Sequence, residues 1–136
     1  MRLTADTNVL VRAAVGDDPA QAATARRALL SADLVAETLP VLCEFAWVLA
    51  RGYRYDAAEI AAAIGLLIDS KGVAVDHAAA EAGLRFLEAG GDFADGVIAF
   101  EGARLGGEIF VSFDRDAVAQ ARAAGIPAGL PGQPNA

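Results

Sequence analysis

The sequence contains a single cysteine, Cys43, and a single histidine, His77. One cysteine excludes an intramolecular disulfide and a zinc site built from cysteines. Cys43 lies in an apolar helical segment and His77 in the first turn of a predicted helix, so we interpret neither as a catalytic group. No apolar run reaches the roughly 18 residues that a membrane span needs, and the first residues lack the apolar core of a signal peptide. We therefore expect a cytoplasmic protein without a membrane segment.

Positive charge is also scarce, because 11 Lys and Arg residues stand against 18 Asp and Glu residues, for a formal net charge of −7. This balance argues against an extended basic groove for nucleic acid, although single arginines can still contact phosphates locally. What the sequence does have is apolar content. At 136 residues, 55% of them hydrophobic, it is long enough for one domain with a packed core.

Short runs rich in β-branched residues alternate with longer alanine-rich segments of helical period. This alternation predicts an α/β domain with a mostly parallel sheet. The predicted strands are Leu3–Ala5, Leu34–Ala36, Gly72–Val75 and Glu108–Ser112. The predicted helices are Asn8–Val15, Pro19–Ser31, Leu39–Arg51, Ala57–Asp69, His77–Ala89, a sixth from Asp92 to about Leu105 and a seventh from Asp114 to about Ala124. The domain is predicted over residues 1–126, and a Pro/Gly-rich tail over 127–136 either adds a short edge strand or stays loose.

Several acidic residues lie at predicted strand ends, near a predicted helix start, or within an apolar helix. Asp6 follows the first predicted strand and Asp114 follows the last one, and parallel strands bring such residues to the same edge of a sheet. Asp95 lies one turn into the helix that begins near Asp92. Glu44 lies within an apolar helical stretch, where a buried carboxylate would be costly. Glu44 must therefore face either the solvent or a metal ion, and the sequence leaves both open.

Carboxylates held together repel one another unless a divalent cation lies between them. A site made of oxygen ligands alone selects Mg²⁺ or Mn²⁺, which can activate water and stabilise the charge that develops on a phosphodiester. Each acid also has a structural alternative. Asp92 and Asp114 can be helix N-caps, and Asp116 a first-turn acid favoured by the helix dipole. Asp6 has no such alternative in the predicted elements.

Four motifs, in order along the chain, resemble those of the PIN-domain ribonucleases. They are DTNVL from Asp6, LCEF from Leu42, DFADGVIA from Asp92 and VSFDRD from Val111. Within that family, the size and the motif order are similar to the VapC-type toxins of bacterial toxin–antitoxin pairs. The resemblance implies a PIN-like three-layer α/β/α sandwich with a central, mostly parallel sheet of four or five short strands.

The resemblance also implies a Mg²⁺-dependent endoribonuclease, with Mn²⁺ as the alternative ion. Carried over by position, the catalytic metal-binding acids would be Asp6, Glu44, Asp95 and Asp114. The supporting residues would be Thr7, Asn8 and Ser112, which would hydrogen-bond to the ligands or to a metal-bound water. Asp92 would be an accessory acid or a helix cap. Asp116 would either contact the metal ligands without binding the ion or face the solvent. Two positions depart from the family pattern, since Ser112 stands where Thr is frequent and Gly96 where Ala is usual.

The implied partners are RNA as substrate, a VapB-like antitoxin whose C-terminal segment covers the active-site groove, and a second copy of the chain in a homodimer. The apolar residues of the helix Leu39–Arg51, including Trp47, could form a patch for such a protein partner together with Tyr53 and Tyr55. Phosphate contacts could come from five arginines, which are Arg12, Arg51, Arg54, Arg104 and Arg115.

Two other interpretations remain beside the nuclease. A catalytically silent PIN-like module would bind RNA or a protein without cutting, although retention of all four acids argues against it. A phosphate-handling enzyme of another α/β class fits poorly. A haloacid-dehalogenase-type phosphatase would need Asp where Asn8 stands, and a response-regulator receiver would need a lysine after a late strand, whereas Lys71 precedes the third one.

Overall fold

The computed structural model describes residues 1–133, which form seven helices and five strands in alternation. All strand pairs are parallel, so the predicted α/β class with a parallel sheet is confirmed. The chain divides into two compact units, Met1–His77 and the remainder from Ala78. Residues 134–136 of the predicted tail lie outside the described residues. Within the described part, no helix has the length and apolar character that crossing a bilayer requires.

The first unit is built on a three-stranded sheet in the order β1-β2-β3. Its strands are β1 (Arg2–Thr4), β2 (Leu34–Ala36) and β3 (Val73–Ala74). Two helices connect β1 to β2 and two connect β2 to β3, as parallel strands require. These helices are α1 (Thr7–Val15), α2 (Pro19–Ser31), α3 (Leu39–Arg51) and α4 (Ala57–Asp69). Thr4 pairs with Ala36 and Ala36 with Ala74, so the three strands end at the same edge.

The second unit contains a two-stranded parallel sheet. Its elements are β4 (Phe110–Val111), β5 (Ala128–Gly129), α6 (Phe93–Arg104), α7 (Arg115–Ala123) and all of α5 (His77–Glu88) except its first residue. Strand β5 lies in the segment 127–136, for which the sequence left an edge strand and a loose tail as alternatives. Its pairing with β4 shows that the edge strand forms.

Local signals explain why most helices begin where they do. Asp18 accepts a hydrogen bond from the Gln21 N–H at 3.0 Å ahead of Pro19, which is favoured at a first helical position. Asp56 and Glu59 form a reciprocal capping box at the start of α4. Thr38 occupies the N-cap of α3, but its side chain makes no capping hydrogen bond.

The apolar faces of α3 and α4 fill the core of the first unit. Leu42, Phe45 and Leu49 of α3 are fully buried, and α4 contributes isoleucines at positions 60, 64 and 68, which are spaced four apart on one helical face. Helix α1 contacts α2 and α3, and α3 contacts α4. These helices therefore hold the start of α1 and the middle of α3 in fixed positions.

In the second unit, α5 and α6 approach each other through two glycines. A Cβ atom on Gly96 would lie 2.6 Å from the Ala82 carbonyl oxygen, and one on Gly83 would lie 2.6 Å from the Phe93 ring. Neither distance is tolerated by real side chains. Gly96, which departs from the Ala usual in the resembled family, is therefore required by the close contact between these helices. The contact fixes the first turn of α6, which carries Asp95, against α5.

One buried carboxyl in the first unit was not singled out from the sequence. Glu37 follows β2 directly and is only 4% exposed, and its backbone N–H donates to the Ala74 carbonyl oxygen at 3.0 Å. The Oε2 atom of Glu37 is buried and has no hydrogen-bond partner among the described residues. Burial raises the pKa of Glu37 from its usual value of 4.5 to about 7. The sequence marks Glu37 by its position at the end of a strand, which does not by itself indicate burial.

Glu37 makes the stability of the protein depend on pH in a defined window. Above pH 4.5 the unfolded chain loses this proton, whereas the folded protein keeps it up to about pH 7. The folded state then binds more protons, so the free energy of unfolding falls as the pH rises through this window and levels off above it. The shift corresponds to a loss of up to about 3 kcal/mol. We expect Glu37→Gln to match the wild type near pH 4.5 and to exceed it by up to this amount at pH 8.

Urea unfolding at several pH values measures this difference. The matched control is Glu81→Gln, which removes an exposed carboxylate and should leave the pH dependence as it is in the wild type. Parallel stability curves for the wild type and Glu37→Gln between pH 4.5 and 8 would contradict the prediction.

Candidate active site

Asp6 lies at the amino terminus of α1, just beyond the end of β1. Its backbone is extended, with φ −80° and ψ 160°, and its Oδ1 atom accepts a hydrogen bond from the Thr7 N–H at 2.8 Å. Asp6 is therefore a helix N-cap, a structural role that the sequence analysis did not assign to it. The carboxylate is exposed, and the hydrogen bond fixes its orientation at the carboxyl edge of the three-stranded sheet.

Thr7 connects Asp6 to a second predicted acid. The Thr7 hydroxyl donates to Oε2 of Glu44 on α3 at 3.0 Å, and Thr7 itself is only 7% exposed. Glu44 is exposed, so it is not the costly buried charge that its apolar neighbours suggested. One buried threonine thus holds two carboxylates, one through its N–H group and one through its O–H group. Asn8 follows on α1 and is exposed.

In the second unit, two predicted acids are also helix N-caps. Oδ1 of Asp92 accepts from the Ala94 N–H at 2.8 Å at the start of α6. Oδ1 of Asp114 accepts from the N–H groups of Asp116 at 2.9 Å and Ala117 at 3.3 Å at the start of α7. These bonds confirm the capping interpretation for both residues. These bonds use Oδ1, and within residues 1–133 no hydrogen bond is made to Oδ2 of either carboxylate.

The hydroxyl of Ser112 hydrogen-bonds to the backbone of Asp114. Its Oγ accepts a hydrogen bond from the Asp114 N–H at 3.0 Å, in the turn between β4 and α7. Asp116 is exposed in the first turn of α7 and contacts Asp114 through its backbone rather than through its carboxylate. Ser112 and the helix terminus together hold the Asp114 side chain in one orientation.

Asp95 is the most perturbed of the predicted acids. It is half-buried in the first turn of α6. Burial raises its pKa first, and the negative charges of Asp92 and Asp114 raise it further. Three carboxylates of the second unit therefore act on one another electrostatically. A cation placed among them would relieve this repulsion.

These residues fit a hard divalent ion in chemistry, because carboxylate and hydroxyl oxygens are its preferred ligands. The structure brings together Asp6 with Glu44 in the first unit, and Asp95 with Asp114 in the second. Over residues 1–133, however, no three Asp, Glu, His or Cys side chains are grouped as a metal site requires. Metal binding by the four predicted acids therefore stays a prediction.

Two of the five arginines considered for phosphate contacts are already engaged. The guanidinium group of Arg12 donates to Gln21 at 2.7 Å and to Tyr53 at 3.2 Å, and it pairs with Asp17 at 3.3 Å. The hydroxyl of Tyr53 donates in turn to Asp17 at 2.9 Å, and this hydrogen bond lowers the pKa of Asp17. Arg12 thus serves to connect α1, α2 and the segment after α3.

Arg104 is the second engaged arginine, since its guanidinium lies 4.6 Å from the centre of the Phe100 ring and 3.6 Å from the Glu101 carboxylate. The side chains of Arg51, Arg54 and Arg115 are exposed. These three are therefore better placed to contact a phosphate than Arg12 or Arg104.

Trp47 lies on the solvent side of α3 and is 62% exposed. It follows Glu44 by three positions, so the two residues share one face of the helix. Tyr53 and Tyr55, which were predicted to extend the same patch, are only partly exposed and contact each other edge-to-face at 6.4 Å. The aromatic patch is therefore exposed chiefly at Trp47.

The family model described as the PIN domain matches residues 4–125, a range that contains all four motifs identified above. PIN domains are in general nucleases and commonly use divalent metal ions. The helices and parallel strands of this chain are consistent with the PIN-like α/β/α fold. A search of curated proteins found no significant match.

The electrostatic coupling in the second unit can be measured directly. Asp92→Asn and Asp114→Asn each remove a negative charge near Asp95 while keeping a residue that caps a helix well. We expect both variants to lower the pKa of Asp95, with the larger shift for Asp92→Asn, because Asp92 is the stronger of the two charges acting on it. The measurement is an NMR titration of the side-chain carboxyl carbons.

Asp116→Asn is the matched control, since Asp116 has no part in raising the pKa of Asp95. An Asp95 titration that is identical in the wild type and both test variants would show that the three carboxylates do not interact.

Proposed function

The chain belongs to the PIN domain family, and from this premise we propose that it is a cytoplasmic, Mg²⁺-dependent endoribonuclease. In this proposal residues 1–126 form the catalytic domain. The finer assignment that we propose is the toxin of a VapBC-type toxin–antitoxin pair. Its substrate is RNA, and its reaction is hydrolysis of the phosphodiester backbone.

The observation that carries the proposal is the environment of Asp95. A half-buried carboxylate with two negative neighbours is unfavourable in the apo protein, as its raised pKa indicates. A carboxylate whose pKa is raised by burial and by neighbouring charges is typical of a functional site. A divalent cation is the partner that would make it favourable, and metal-dependent cleavage is the chemistry that PIN nucleases commonly perform.

The proposed ligands of the ion are Asp6, Glu44, Asp95 and Asp114, with Mg²⁺ as the resident ion and Mn²⁺ as a substitute. When bound, a divalent ion supplies water of lowered pKa and positive charge to balance the developing phosphate charge.

The remaining residues act by positioning. Thr7 orients Asp6 and Glu44 through its two donors, and Ser112 orients Asp114 through the backbone. Asp92 adds negative charge that raises the pKa of Asp95. Asn8 is exposed beside Thr7 and offers an amide for hydrogen bonding to substrate or water.

Two protein partners are part of the proposal, a VapB-like antitoxin and a second copy of the chain. The exposed indole of Trp47 on the same helical face as Glu44 supports an antitoxin contact there. The net charge of −7 favours an antitoxin segment that carries arginines.

The proposal predicts that removing single carboxylates abolishes cleavage without unfolding the protein. We expect Asp6→Asn and Asp95→Asn each to lower the rate of RNA cleavage in Mg²⁺ by at least about a hundredfold, because changes merely behind metal ligands already cost roughly 10–100-fold. Asn still caps α1, and Asp95 is not a cap, so circular dichroism should remain native. Cleavage of labelled single-stranded RNA gives the rates.

A second readout tests the metal itself. Calorimetric titration with Mn²⁺ should show binding to the wild type and weakened binding to both variants, whereas Asp69→Asn, which removes an exposed carboxylate at the end of α4, should bind as the wild type does. Full RNA cleavage by both variants would rule out the mechanism. Absence of Mn²⁺ binding by the wild type would favour the silent binding module.

The antitoxin contact predicts a separable effect of Trp47. Because its side chain is exposed, Trp47→Ala should leave the fold and RNA cleavage nearly unchanged. It should weaken inhibition by the cognate antitoxin by about tenfold or more, as expected for a buried aromatic anchor. The comparison variant is Leu66→Ala, which removes another exposed apolar side chain from α4. Equal inhibition of the wild type and Trp47→Ala would place the antitoxin elsewhere.

A further inference from the structure

A cavity of about 580 Å³ lies in the first unit, alongside β2. It extends from Asp33, before the strand, to Glu37, after it, and its walls come from α2, β2, α4 and the start of β3. The volume falls within the range of small-molecule sites. None of the proposed metal ligands or their supporting residues lines it.

Most of the cavity wall is apolar. Leu29 of α2, Val35 of β2, Leu67 of α4 and Val73 of β3 contribute to it. A wall of this composition favours a ligand with an apolar body. Its apolar side chains offer that body no hydrogen-bond donors or acceptors.

Glu37 contributes a buried carboxyl group to this wall. Its Oε2 atom is buried and receives no hydrogen bond from any described residue, although the residue is only 4% exposed. An unpaired buried acceptor is unfavourable, and such groups in folded proteins ordinarily have a partner. The partner that Glu37 lacks is a hydrogen-bond donor, and a positively charged donor would gain the most from it.

The other charges around the cavity limit what that donor can be. Arg26 and Lys71 line it and are exposed, and Asp33, which also lines it, pairs with the terminal amino group of Met1. Nε of Arg26 donates to the Ala13 carbonyl oxygen at 2.9 Å, which directs this side chain toward α1. Two cations near the cavity disfavour a ligand with a second positive charge, whereas the net charge of −7 attracts a single one.

We propose that this cavity is a binding site for a small organic monocation, whose ammonium group donates to Oε2 of Glu37 and whose apolar body packs against Leu29, Val35 and Leu67. The ligand is a primary amine on an aromatic or aliphatic body of modest size. The unpaired carboxyl supplies the specificity, and the apolar wall supplies the contact area.

Benzylamine and benzyl alcohol are suitable probes, because they share one body and differ in the charged donor. In ¹H–¹⁵N spectra of the full chain, benzylamine should shift the backbone amides of Val35, Leu67 and Val73 in a saturable way. Benzyl alcohol should bind at least about tenfold more weakly, since a hydrogen bond to a charged group is lost.

Glu37→Gln should weaken benzylamine binding by a similar factor, whereas Glu81→Gln, with the same change in net charge on an exposed residue, should bind as the wild type does. Leu67→Trp, which fills the cavity and keeps Glu37, is the second variant and should also abolish binding. Leu67→Trp tests the proposal even if Glu37→Gln does not fold. Equal binding of the two probes, equal binding to the wild type and these cavity variants, or no saturable shifts in the wild type would each overturn the proposal.

Discussion

In each unit, the orientation of the candidate acids depends on the hydrogen bonds that hold carboxylates at helix amino termini. Asp6, Asp92 and Asp114 each accept backbone N–H groups at the start of a helix, so the same bond that begins the helix also fixes the acid. The positive end of the helix dipole attracts negative charge at this position. A cap uses one oxygen and leaves the other, which is why structural and catalytic interpretations of these residues do not compete. Thr7 extends the principle to Glu44, which no helix terminus holds.

Helix starts were the part of the fold most accessible from the sequence. The first and last residues of α2, α3 and α4 agree with the prediction. Proline, a capping box and apolar periodicity mark the bounds of these helices in the local sequence. Strand ends were less accurate. The run Glu108–Ser112 reads as a five-residue strand, yet only Phe110 and Val111 pair with β5, because strand length is decided by the partner and not by β-propensity.

For the candidate site too, local positions were predictable from the sequence and long-range contacts were not. The motifs placed acids near strand ends and helix starts, and the structure confirms those local positions. The contact between Thr7 and Glu44 joins residues 37 positions apart, and local pattern contains no signal for it. The capping role of Asp6 was missed because α1 begins one residue earlier than predicted, at Thr7. Glu37 was missed because an isolated acid after a strand resembles a solvent-facing turn residue until the burial around it is known.

The glycine pair at the crossing of α5 and α6 links the packing of the second unit to the charges of its acids. A methyl group at Gly96 would collide with backbone, which cannot rotate away as a side chain can. The helices would have to separate, and the first turn of α6 would carry Asp95 away from its present depth of burial. Random mutagenesis that selects for the folded chain would therefore retain glycine at this buried position, and such invariance next to Asp95 would have a steric origin.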